Sequence, residues 1–567
     1  MFAHPAFAMV QTIADVCSLP RVRTPARLLL IAIALAACEP GGNPSPSPTP
    51  LATDQTLSFP ITQDLADFDP ALISSPADVD ILRNVFSGLY RFDDQLREVP
   101  DLADGQPAIS ADGLEYTFKL RAGARFSNGD PITATDVQYS WNRAARRQGD
   151  YASLFSVIAG YPAVASGRAA AMSGLSVIDA QRLQVTLLKP ASYFLTEVTL
   201  WPFWVVDRNV ISAAGEDSWF NQPSTLIGSG PFRMSARTPG QSMDFDPVPD
   251  WYGGKTGALK HVHVHVVGDQ ATQINQYESG VFSLIGYGRQ SLPSAQATRY
   301  AADPKLSKQL ALVPLGVTYW VGFNIKTGLF AGVDGGRTAR LAFSQAIDRK
   351  ALEQAVCNLK TSCVEATGGV ISKGLAGYLG DAADHNVKFD AQAAKTEYQT
   401  WDPTGAKVKG LAYVYDSDPF NKAVCANLRL QWKSNLGVDV ACRELDRKTF
   451  FDQRNTRCAY ALFRQSWAAD YDHPQNWFDY LFVSGAPSSG SCYSNPTFDS
   501  AVGGADRAAP ASPLTPYLEA GQTLVKDSII GALLYGVQQY LVHPYVIGAG
   551  GNALYDNDWR SVRILAH

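Results

Sequence analysis

The sequence predicts an α/β protein, because strand and helix patterns are interleaved along the whole chain. Polar and apolar residues alternate over 115–120, as they do in a strand. The segment 127–131, which follows, contains the Asn-Gly and Asp-Pro pairs of a turn. Thr133, with Asp136 three residues later, forms a capping box that predicts a helix to about residue 147. Apolar residues at helical spacing predict a further helix over 337–356.

The composition excludes several classes of protein. The chain has 567 residues, which at roughly 150 residues per domain allows three or four domains or one large multi-lobed body. A formal net charge of -5 supplies no basic surface for a phosphate backbone, so nucleic acid is not expected as a partner. The mean hydropathy of -0.09 excludes a polytopic membrane protein. Aromatic residues make up 11% of the chain, which suggests a surface or cleft that binds a ligand.

The N-terminal segment has the pattern of an export signal. Three arginines precede the ten apolar residues 28–37, a run too short for a membrane span of roughly 20 residues but typical of a signal-peptide core. This run ends in Leu-Ala-Ala directly before Cys38, as in the lipobox of bacterial lipoproteins. We therefore expect residues 1–37 to be a lipoprotein signal peptide and Cys38 to be lipidated. Ordinary secretion with an incidental Cys38 is the alternative.

Proline alternates with serine and threonine directly after Cys38. Such a segment cannot join a sheet and favours extended polyproline II, with a rise of about 3.1 Å per residue. Residues 38–54 are therefore predicted to be a lipidated cysteine and a tether between the membrane and the folded protein.

Six cysteines remain after the leader and the lipidation site, and an even number in an exported chain predicts three disulfides. Zinc is the alternative, but no pair has the two-residue spacing of a zinc knuckle. A helix near 419–435 followed by an antiparallel strand near 438–444 places Cys425 about 15 Å before the helix end and Cys442 about 13 Å into the strand. The two thiols therefore lie at similar distances from the turn that joins the helix to the strand, and we expect them to pair. Cys357–Cys363 would then close a small loop, and Cys458–Cys492 follows by elimination.

Catalytic and metal motifs are mostly missing from the sequence. Residues 253–256 end like a phosphate-binding loop, but Pro249 occupies the place of its first glycine. Neither His-Glu-x-x-His nor Gly-x-Ser-x-Gly occurs. These observations argue against a secreted hydrolase or a metal-dependent enzyme, the alternatives from another class.

Three histidines alternate with valines in a predicted strand at positions 261, 263 and 265. Their side chains share one face, so a metal cluster is conceivable. However, neighbouring histidines on one strand lie about 6.6 Å apart, and no nearby Cys, Asp or Glu completes a set of ligands. We expect solvent-facing histidines over a valine core, with no metal site and no cofactor.

Several segments in fixed order resemble the family-5 extracytoplasmic solute-binding proteins of ABC importers, the oligopeptide- and dipeptide-binding type. The most specific is "DGLEYTFKLRAGARFSNGDPITATDVQYSW" at 112–141. The others are "LADFDPALISSPADVDILRNVFSG" at 65–88, "GSGPFRM" at 228–234, "FNIKTGLF" at 323–330, "RLAFSQAIDRKAL" at 340–352, "SWAADYDHPQNW" at 466–477 and "YSNPTFDS" at 493–500. The resemblance covers about 55–567. It departs from the family pattern at Ser283, where an acidic residue is usual, and in the glycine-rich tail from Gly548.

The resemblance implies a two-lobed periplasmic-binding-protein fold, type II and class C-like, with an extra domain inserted in lobe one. The chain would cross twice between the lobes, near Gly316 and Tyr535, and these crossings would form a hinge. Projected onto this sequence, the units are lobe one at 55–98, 225–317 and 535–567, the inserted domain at 99–224, and lobe two at 318–534.

The resemblance also implies which residues hold a ligand. The aspartate of the Trp-x-x-Asp segment, Trp467 to Asp470, would receive a peptide α-ammonium, which needs a desolvated anion. Arg464 matches an arginine that pairs with a peptide carboxylate in a relative. The alternatives are an Asp470 that caps the loop into Pro474 and an Arg464 that is a surface residue.

Backbone groups and aromatic walls complete the implied site. The main chain of Ser466 to Ala468, with that of the segment containing Ser75 and Pro76 opposite, would bond a peptide as an added strand. The aromatic walls would be Tyr151, Tyr319 and Trp320, although any one of them could instead belong to the core.

The resemblance thus implies a monomeric receptor, anchored by lipid to the outer face of the cytoplasmic membrane or facing the periplasm, that delivers short peptides to an ABC permease and catalyses nothing. A nickel chelate, haem, a sugar or an opine is the alternative ligand within the family.

Overall fold

The computed structural model describes residues 49–510, 512–555 and 558–567. The predicted signal peptide, the lipidation site Cys38 and the tether as far as residue 48 lie outside the described residues. No helix within the described ranges combines the length and the apolar character that a membrane span requires.

Strands and helices alternate along the described chain, as the sequence predicts. The strands are β1 Thr56–Ile61, β2 Tyr90–Phe92, β3 Glu98–Pro100, β4 Ala108–Ile109, β5 Glu115–Lys119, β6 Leu175–Asp179, β7 Arg182–Thr186, β8 Phe232–Thr238, β9 Ser242–Pro247, β10 His261–Val266, β11 Leu284–Ile285, β12 Leu310–Phe323, β13 Cys363–Glu365, β14 Ala412–Asp416, β15 Ala441–Leu445, β16 Leu462–Ala468, β17 Ile530–Val542, β18 Val546–Ile547 and β19 Arg563–Ile564. The helices are α1 Pro76–Leu82, α2 Ala134–Arg147, α3 Tyr161–Ala165, α4 Phe194–Val198, α5 Arg208–Ala214, α6 Gln270–Glu278, α7 Ser294–Ala302, α8 Arg337–Gln345, α9 Arg349–Val356, α10 Ala391–Trp401, α11 Pro419–Asn435, α12 Arg447–Arg457, α13 Gln475–Leu481, α14 Pro496–Asp506 and α15 Thr515–Lys526.

The first sheet has the strand order β1-β10-β9-β8, with β1 and β10 parallel and the other pairs antiparallel. All four strands fall in the ranges predicted for lobe one. Val262 and Val264 of β10 are fully buried, so the alternating histidines of this strand project from the opposite face of the sheet. The prediction of a valine core beneath these histidines is confirmed.

The second sheet, β4-β5-β7-β6, lies within the range predicted for the inserted domain. Helix α2 packs on it and ends at Arg147 as predicted. The capping box is present: the Thr133 backbone N–H and hydroxyl both donate to Asp136, the first at 2.9 Å. Because these bonds satisfy donors that a helix start leaves unpaired, they fix where α2 begins.

The third and largest sheet has the order β11-β17-β12-β16-β14-β15, with β13 beside β17. Its two long strands, β12 and β17, run antiparallel across the boundary predicted between the lobes. Their register is interrupted between Pro314 and Thr318, which brackets Gly316, and Thr318 lies opposite Tyr535. The two predicted crossings between the lobes therefore lie side by side in one ladder.

The prediction of one continuous helix over 337–356 is wrong. The structure has two helices, α8 and α9, separated by three residues. Asp348 begins α9 because its carboxylate accepts a hydrogen bond from the backbone N–H of Ala351 at 3.0 Å. The buried Arg349 guanidinium donates to the carbonyl oxygens of Ser344 and Ile347 at the break, both at 3.1 Å.

All three predicted disulfides are present. Cys425 of α11 is bonded to Cys442 of β15, with the Cα atoms 6.0 Å apart. Helix α11 has the predicted bounds, whereas the strand begins at Ala441, three residues later than predicted. The other pairs are Cys357–Cys363 and Cys458–Cys492. Each disulfide joins segments of the range predicted for lobe two.

Candidate functional site

Asp470 lies two residues after β16, and its carboxylate is held by two side chains. The Tyr151 hydroxyl donates to Oδ1 at 2.8 Å, and the Asn476 side-chain amide donates to Oδ2 at 2.9 Å. Asn476, in α13, also accepts from the Asp470 backbone N–H at 3.0 Å. The carboxylate oxygens thus bond to side chains rather than to backbone amides of the loop into Pro474, so the structure does not show the loop-capping alternative.

Three distant parts of the chain meet at Asp470. The Tyr151 ring packs edge-on against Trp201 at 4.5 Å between ring centroids, and the Trp201 indole N–H donates to the carbonyl of Ile73 at 2.8 Å. From the C-terminal region, the Tyr555 hydroxyl reaches the Asp470 carbonyl at 3.3 Å. These contacts connect the ranges predicted for lobe one and the inserted domain to a residue of the range predicted for lobe two.

The electrostatic setting of Asp470 is that of an anion without a cation. Desolvation raises the pKa of Asp470, although the hydrogen bonds from Asn476 and Tyr151 act in the opposite direction. Desolvation and the neighbouring Asp470 raise the pKa of Tyr151, so this hydroxyl stays neutral and donates. No lysine or arginine forms an ion pair with Asp470 among the described residues. A cationic ligand would supply the missing charge.

Strand β16 offers a free edge next to Asp470. Its full length pairs with β12, but its other edge pairs with β14 only at Leu462 and Phe463. Beyond that point, no strand in the described part of the chain pairs with residues 464–468 on this edge. Ser466 is half-buried and Ala468 is exposed, so this stretch can accept a further extended chain.

Alternation along β12 places its two predicted aromatic walls on opposite faces. Tyr319 lies opposite Ser466, is half-buried and packs 5.1 Å from the Phe420 ring. Trp320 is 1% exposed and packs against Phe482 in the core. The prediction of Trp320 as a cleft wall is therefore wrong, because successive strand residues cannot face the same side. Trp467 shares the face of Trp320, is half-buried and donates its indole N–H to Asn476 at 3.1 Å.

Arg464 is buried, so the surface-arginine alternative is wrong. Its guanidinium forms an ion pair with Asp416 and donates to the Ser466 hydroxyl at 2.9 Å. Desolvation acts to raise the pKa of Asp416, but Arg464 outweighs it and holds this pKa below its usual value. Because Asp416 already offsets the charge of Arg464, a ligand carboxylate would compete with Asp416 for the hydrogen bonds of the guanidinium.

Ser75 and Pro76 form the start of α1. Ser75 is extended, and its carbonyl oxygen accepts from the N–H groups of Asp78 and Val79. Pro76 is exposed. Ile73, two residues before Ser75, bonds Trp201, so this segment lies next to the aromatic pair that leads to Asp470.

Two cavities, with volumes of about 370 Å³ and 410 Å³, lie on either side of the 472–480 segment that follows Asp470. Both volumes lie in the range of ligand pockets. The first cavity is lined by residues of all three ranges, including Phe92 of the lobe-one range, and the second by residues of the inserted-domain and lobe-two ranges. None of the predicted ligand residues lines either cavity, although Tyr480 in the second stacks on Trp467 at 5.8 Å.

Buried carboxyl groups surround these cavities, and sequence reasoning missed them. Desolvation and the neighbouring Asp479 raise the pKa of Glu197 well above its usual value. The same two causes raise the pKa of Asp506 to about 7. Desolvation likewise raises the pKa of Asp479 and, in the first cavity, that of Asp472, the latter to about 6. The region is therefore rich in carboxyl groups whose ionised forms are disfavoured until an opposite charge is near.

Sequence reasoning also missed three residues that build the Asp470 site. Asn476 lies inside the quoted 466–477 segment, but only the folded loop shows that it bonds Asp470 and Trp467. Trp201 and Tyr555 come from distant segments, and no local pattern in the sequence marks them.

Comparison with known proteins places the chain in a family. Residues 97–489 match the model of the bacterial extracellular solute-binding proteins, family 5. The chain is 25% identical over 555 residues to the periplasmic oligopeptide-binding protein OppA of Escherichia coli (strain K12), covering 94% of this chain and 96% of that protein. It is 26% identical over 480 residues to the periplasmic murein peptide-binding protein MppA of the same organism, covering 83% and 84%. It is 24% identical over 512 residues to that organism's probable deoxycholate-binding periplasmic protein YgiS, covering 88% and 91%.

A solved structure shows the same fold. The unliganded open form of MppA, a periplasmic murein tripeptide binding protein, superimposes with a TM-score of 0.81 at 24% identity, covering 92% of this chain and 99% of that one. The two-lobed α/β fold predicted from the sequence is confirmed. The chain belongs to the family-5 bacterial extracellular solute-binding proteins, a family of binding proteins and not of enzymes.

The acidic cluster of Glu197, Asp479 and Asp506 predicts a specific pH dependence of stability. In the unfolded chain an aspartate has a pKa of about 3.9, whereas folding raises the pKa of Asp506 to about 7. The folded protein therefore holds this proton more tightly, and the resulting stability is full below about pH 4 and is lost as the pH rises through about 7. The wild-type melting temperature should fall between pH 5 and pH 8 by more than that of Asp506→Asn.

Differential scanning calorimetry at several pH values would measure this difference. The control is Asp250→Asn, which makes the same substitution at an exposed position outside the cluster. Equal pH slopes for the wild type and Asp506→Asn would contradict the assigned burial of this carboxyl group.

Proposed function

We propose that this solute-binding protein is the receptor of an ABC importer and that it binds short peptides through their α-ammonium group. The observation that carries the proposal is Asp470, a desolvated carboxylate that contacts three parts of the chain and has no cationic partner within the described residues. An α-ammonium carries three donors and one positive charge. It would replace the missing cation and restore the ionised form of Asp470.

The free edge of β16 supplies the second part of the proposal. A peptide whose ammonium lies at Asp470 would extend along residues 464–468, where the backbone has no strand partner on that side in the described structure. Main-chain hydrogen bonds of this kind do not depend on the peptide's side chains. The receptor would therefore accept peptides of varied sequence.

The carboxyl groups at and beside the two cavities favour a ligand with a positive charge. Asp470, Asp472, Asp479 and Glu197 all lie at or beside the two cavities, and each has a raised pKa. A cationic ligand would lower these raised pKa values and favour the ionised carboxylates, whereas an anionic ligand such as a bile acid would raise them further, which is unfavourable in a desolvated site. The names of OppA and MppA support a peptide, whereas that of YgiS indicates another ligand.

Closure around the ligand would use the β12–β17 ladder. We assign lobe one to 55–98, 225–317 and 535–567, the inserted domain to 99–224, and lobe two to 318–534. The register interruption next to Gly316 lies at the boundary between these ranges and is where bending would disturb the fewest hydrogen bonds. A ligand favours the closed state only by its greater affinity for that state, and Asp470 provides this difference because its contacts come from all three units.

The receptor would act as a monomer at the outer face of the cytoplasmic membrane or in the periplasm, delivering peptides to the permease subunits. Lipid on Cys38 would anchor it, with residues 39–54 as the tether. The lipobox-like sequence before Cys38 and the proline-rich segment after it support this arrangement.

The first prediction of the proposal concerns Asp470. Asp470→Asn should weaken binding of free-amine tripeptides by two to four decades, because stranding a buried charge costs roughly 3–5 kcal/mol. Isothermal titration calorimetry would measure this loss. N-acetylated forms of the same peptides should bind the wild type poorly, since they carry no ammonium.

A matched control is Asp452→Asn, which removes the same charge from an exposed site. It should bind peptides like the wild type. The peptide proposal fails if the wild type binds acetylated and free peptides equally, or if folded Asp470→Asn keeps normal affinity.

The second prediction concerns the anchor. Cys38→Ala should move the protein from the membrane fraction to the soluble fraction, because the thiol that carries the lipid is gone. Cys17→Ala, a matched change within the predicted leader, should leave the protein in the membrane fraction. Failure of the wild type to incorporate labelled fatty acid would show that the protein is not a lipoprotein.

A further inference from the structure

Two histidines and two aspartates meet on the outer face of the first sheet. Strand β10 runs antiparallel to β9, and His263 lies directly opposite Asp244. The side chains that point to the other face, Val262 and Val264 of β10 and Met243 and Phe245 of β9, are fully buried. The sequence-based expectation that no acidic side chain lies near these histidines is wrong, because strand pairing brings together residues that are 15 to 19 positions apart in the chain.

The side chains converge on one carboxylate oxygen. Nε2 of His261 lies 2.9 Å from Oδ1 of Asp244, and Nδ1 of His263 contacts the same oxygen. One nitrogen from each ring and one oxygen of Asp244 all lie within 4.8 Å of one another. We propose that Asp244, His261 and His263 bind a divalent transition-metal ion, with Zn²⁺ as the best match.

The choice of ion follows from the donor atoms. Two imidazole nitrogens and one carboxylate oxygen suit Zn²⁺, which binds such atoms at about 2.0–2.2 Å and leaves a fourth position for water. Ligands of a tetrahedral zinc ion lie about 3.3 Å apart, so the 2.9 Å separation of His261 from Asp244 needs only a small opening. Ca²⁺ and Mg²⁺ prefer six or more oxygen ligands and would not match this set.

Asp246 supplies the outer partner that metal-binding histidines usually have. Its carboxylate lies 2.8 Å from Nδ1 of His261. Such a carboxylate holds the proton on Nδ1 and leaves Nε2 with a free electron pair directed at the metal. Without an ion, His261 lies between two carboxylates and must carry a proton on each nitrogen to bond both. A metal ion would replace the proton between His261 and Asp244.

The site is open to solvent, and the third histidine of the strand has other partners. The side chains of His261, His263 and Asp244 are 34%, 30% and 20% exposed, so an ion can reach them. Nε2 of His265 contacts the Ser58 hydroxyl at 3.1 Å, and its ring lies against Phe282. The His265 ring also packs against the His263 ring, with the centroids 4.0 Å apart. The control histidine is therefore taken from elsewhere, at the exposed His385.

The test is isothermal titration of Zn²⁺ into the full exported protein, purified without a histidine tag and freed of metal with a chelator. We expect one ion per chain. His261→Gln and His263→Gln should each weaken zinc binding at least tenfold, and Asp246→Asn should weaken it by about 10- to 100-fold. His385→Gln, at an exposed position outside the site, should keep the wild-type affinity, and excess Mg²⁺ should not compete.

Cobalt spectroscopy tests the proposal without any substitution. Co²⁺ bound by the wild type should give the intense visible bands of a low-coordinate nitrogen–oxygen site, and Zn²⁺ should remove them. The proposal is overturned if the wild type takes up no zinc at about 100 µM, if cobalt keeps the spectrum of the hydrated ion, or if both histidine variants bind zinc like the wild type.

Discussion

The ladder between β12 and β17 is the interaction on which the rest of the structure depends. These two strands carry the chain across the boundary between the proposed lobes, and the other strands of the third sheet are added on either side of them. On the side away from β17, β12 pairs with all seven residues of β16, which positions Asp470 just beyond the end of that strand. The same ladder is interrupted twice, and the longer interruption, between Pro314 and Thr318, is where we propose that the two halves bend. In the proposed mechanism, binding and closure therefore both depend on one pair of strands.

Asp470 is held in place by neutral groups and has no cationic side chain paired with it among the described residues. Tyr151 and Asn476 orient the carboxylate, but desolvation still raises its pKa. A desolvated charge becomes favourable only when it gains an opposite charge. A ligand ammonium would supply that charge while touching all three units at once. In the proposed mechanism, this unbalanced carboxylate provides both the affinity for the ligand and the preference for the closed state.

Features that depend on nearby residues or on regular helix and strand spacing could be predicted from the sequence. Contacts between residues that are distant in the sequence could not. The Thr133–Asp136 capping box and the Cys425–Cys442 pair follow from helix and strand geometry alone. The misassignment of Trp320 was avoidable, because the period of a strand already separates it from Tyr319. By contrast, Asp244 meets His263 only through strand pairing, and Glu197 meets Asp479 only through packing of distant segments.

A crystal structure of the protein with a free-amine tripeptide such as trialanine would test the central claim most directly. The account predicts that the α-ammonium nitrogen lies about 2.7–2.9 Å from an Asp470 carboxylate oxygen, with the peptide backbone along residues 464–468 of β16. An ammonium bound instead at Asp472 or Asp479, with Asp470 still bonded only to Tyr151 and Asn476, would contradict it.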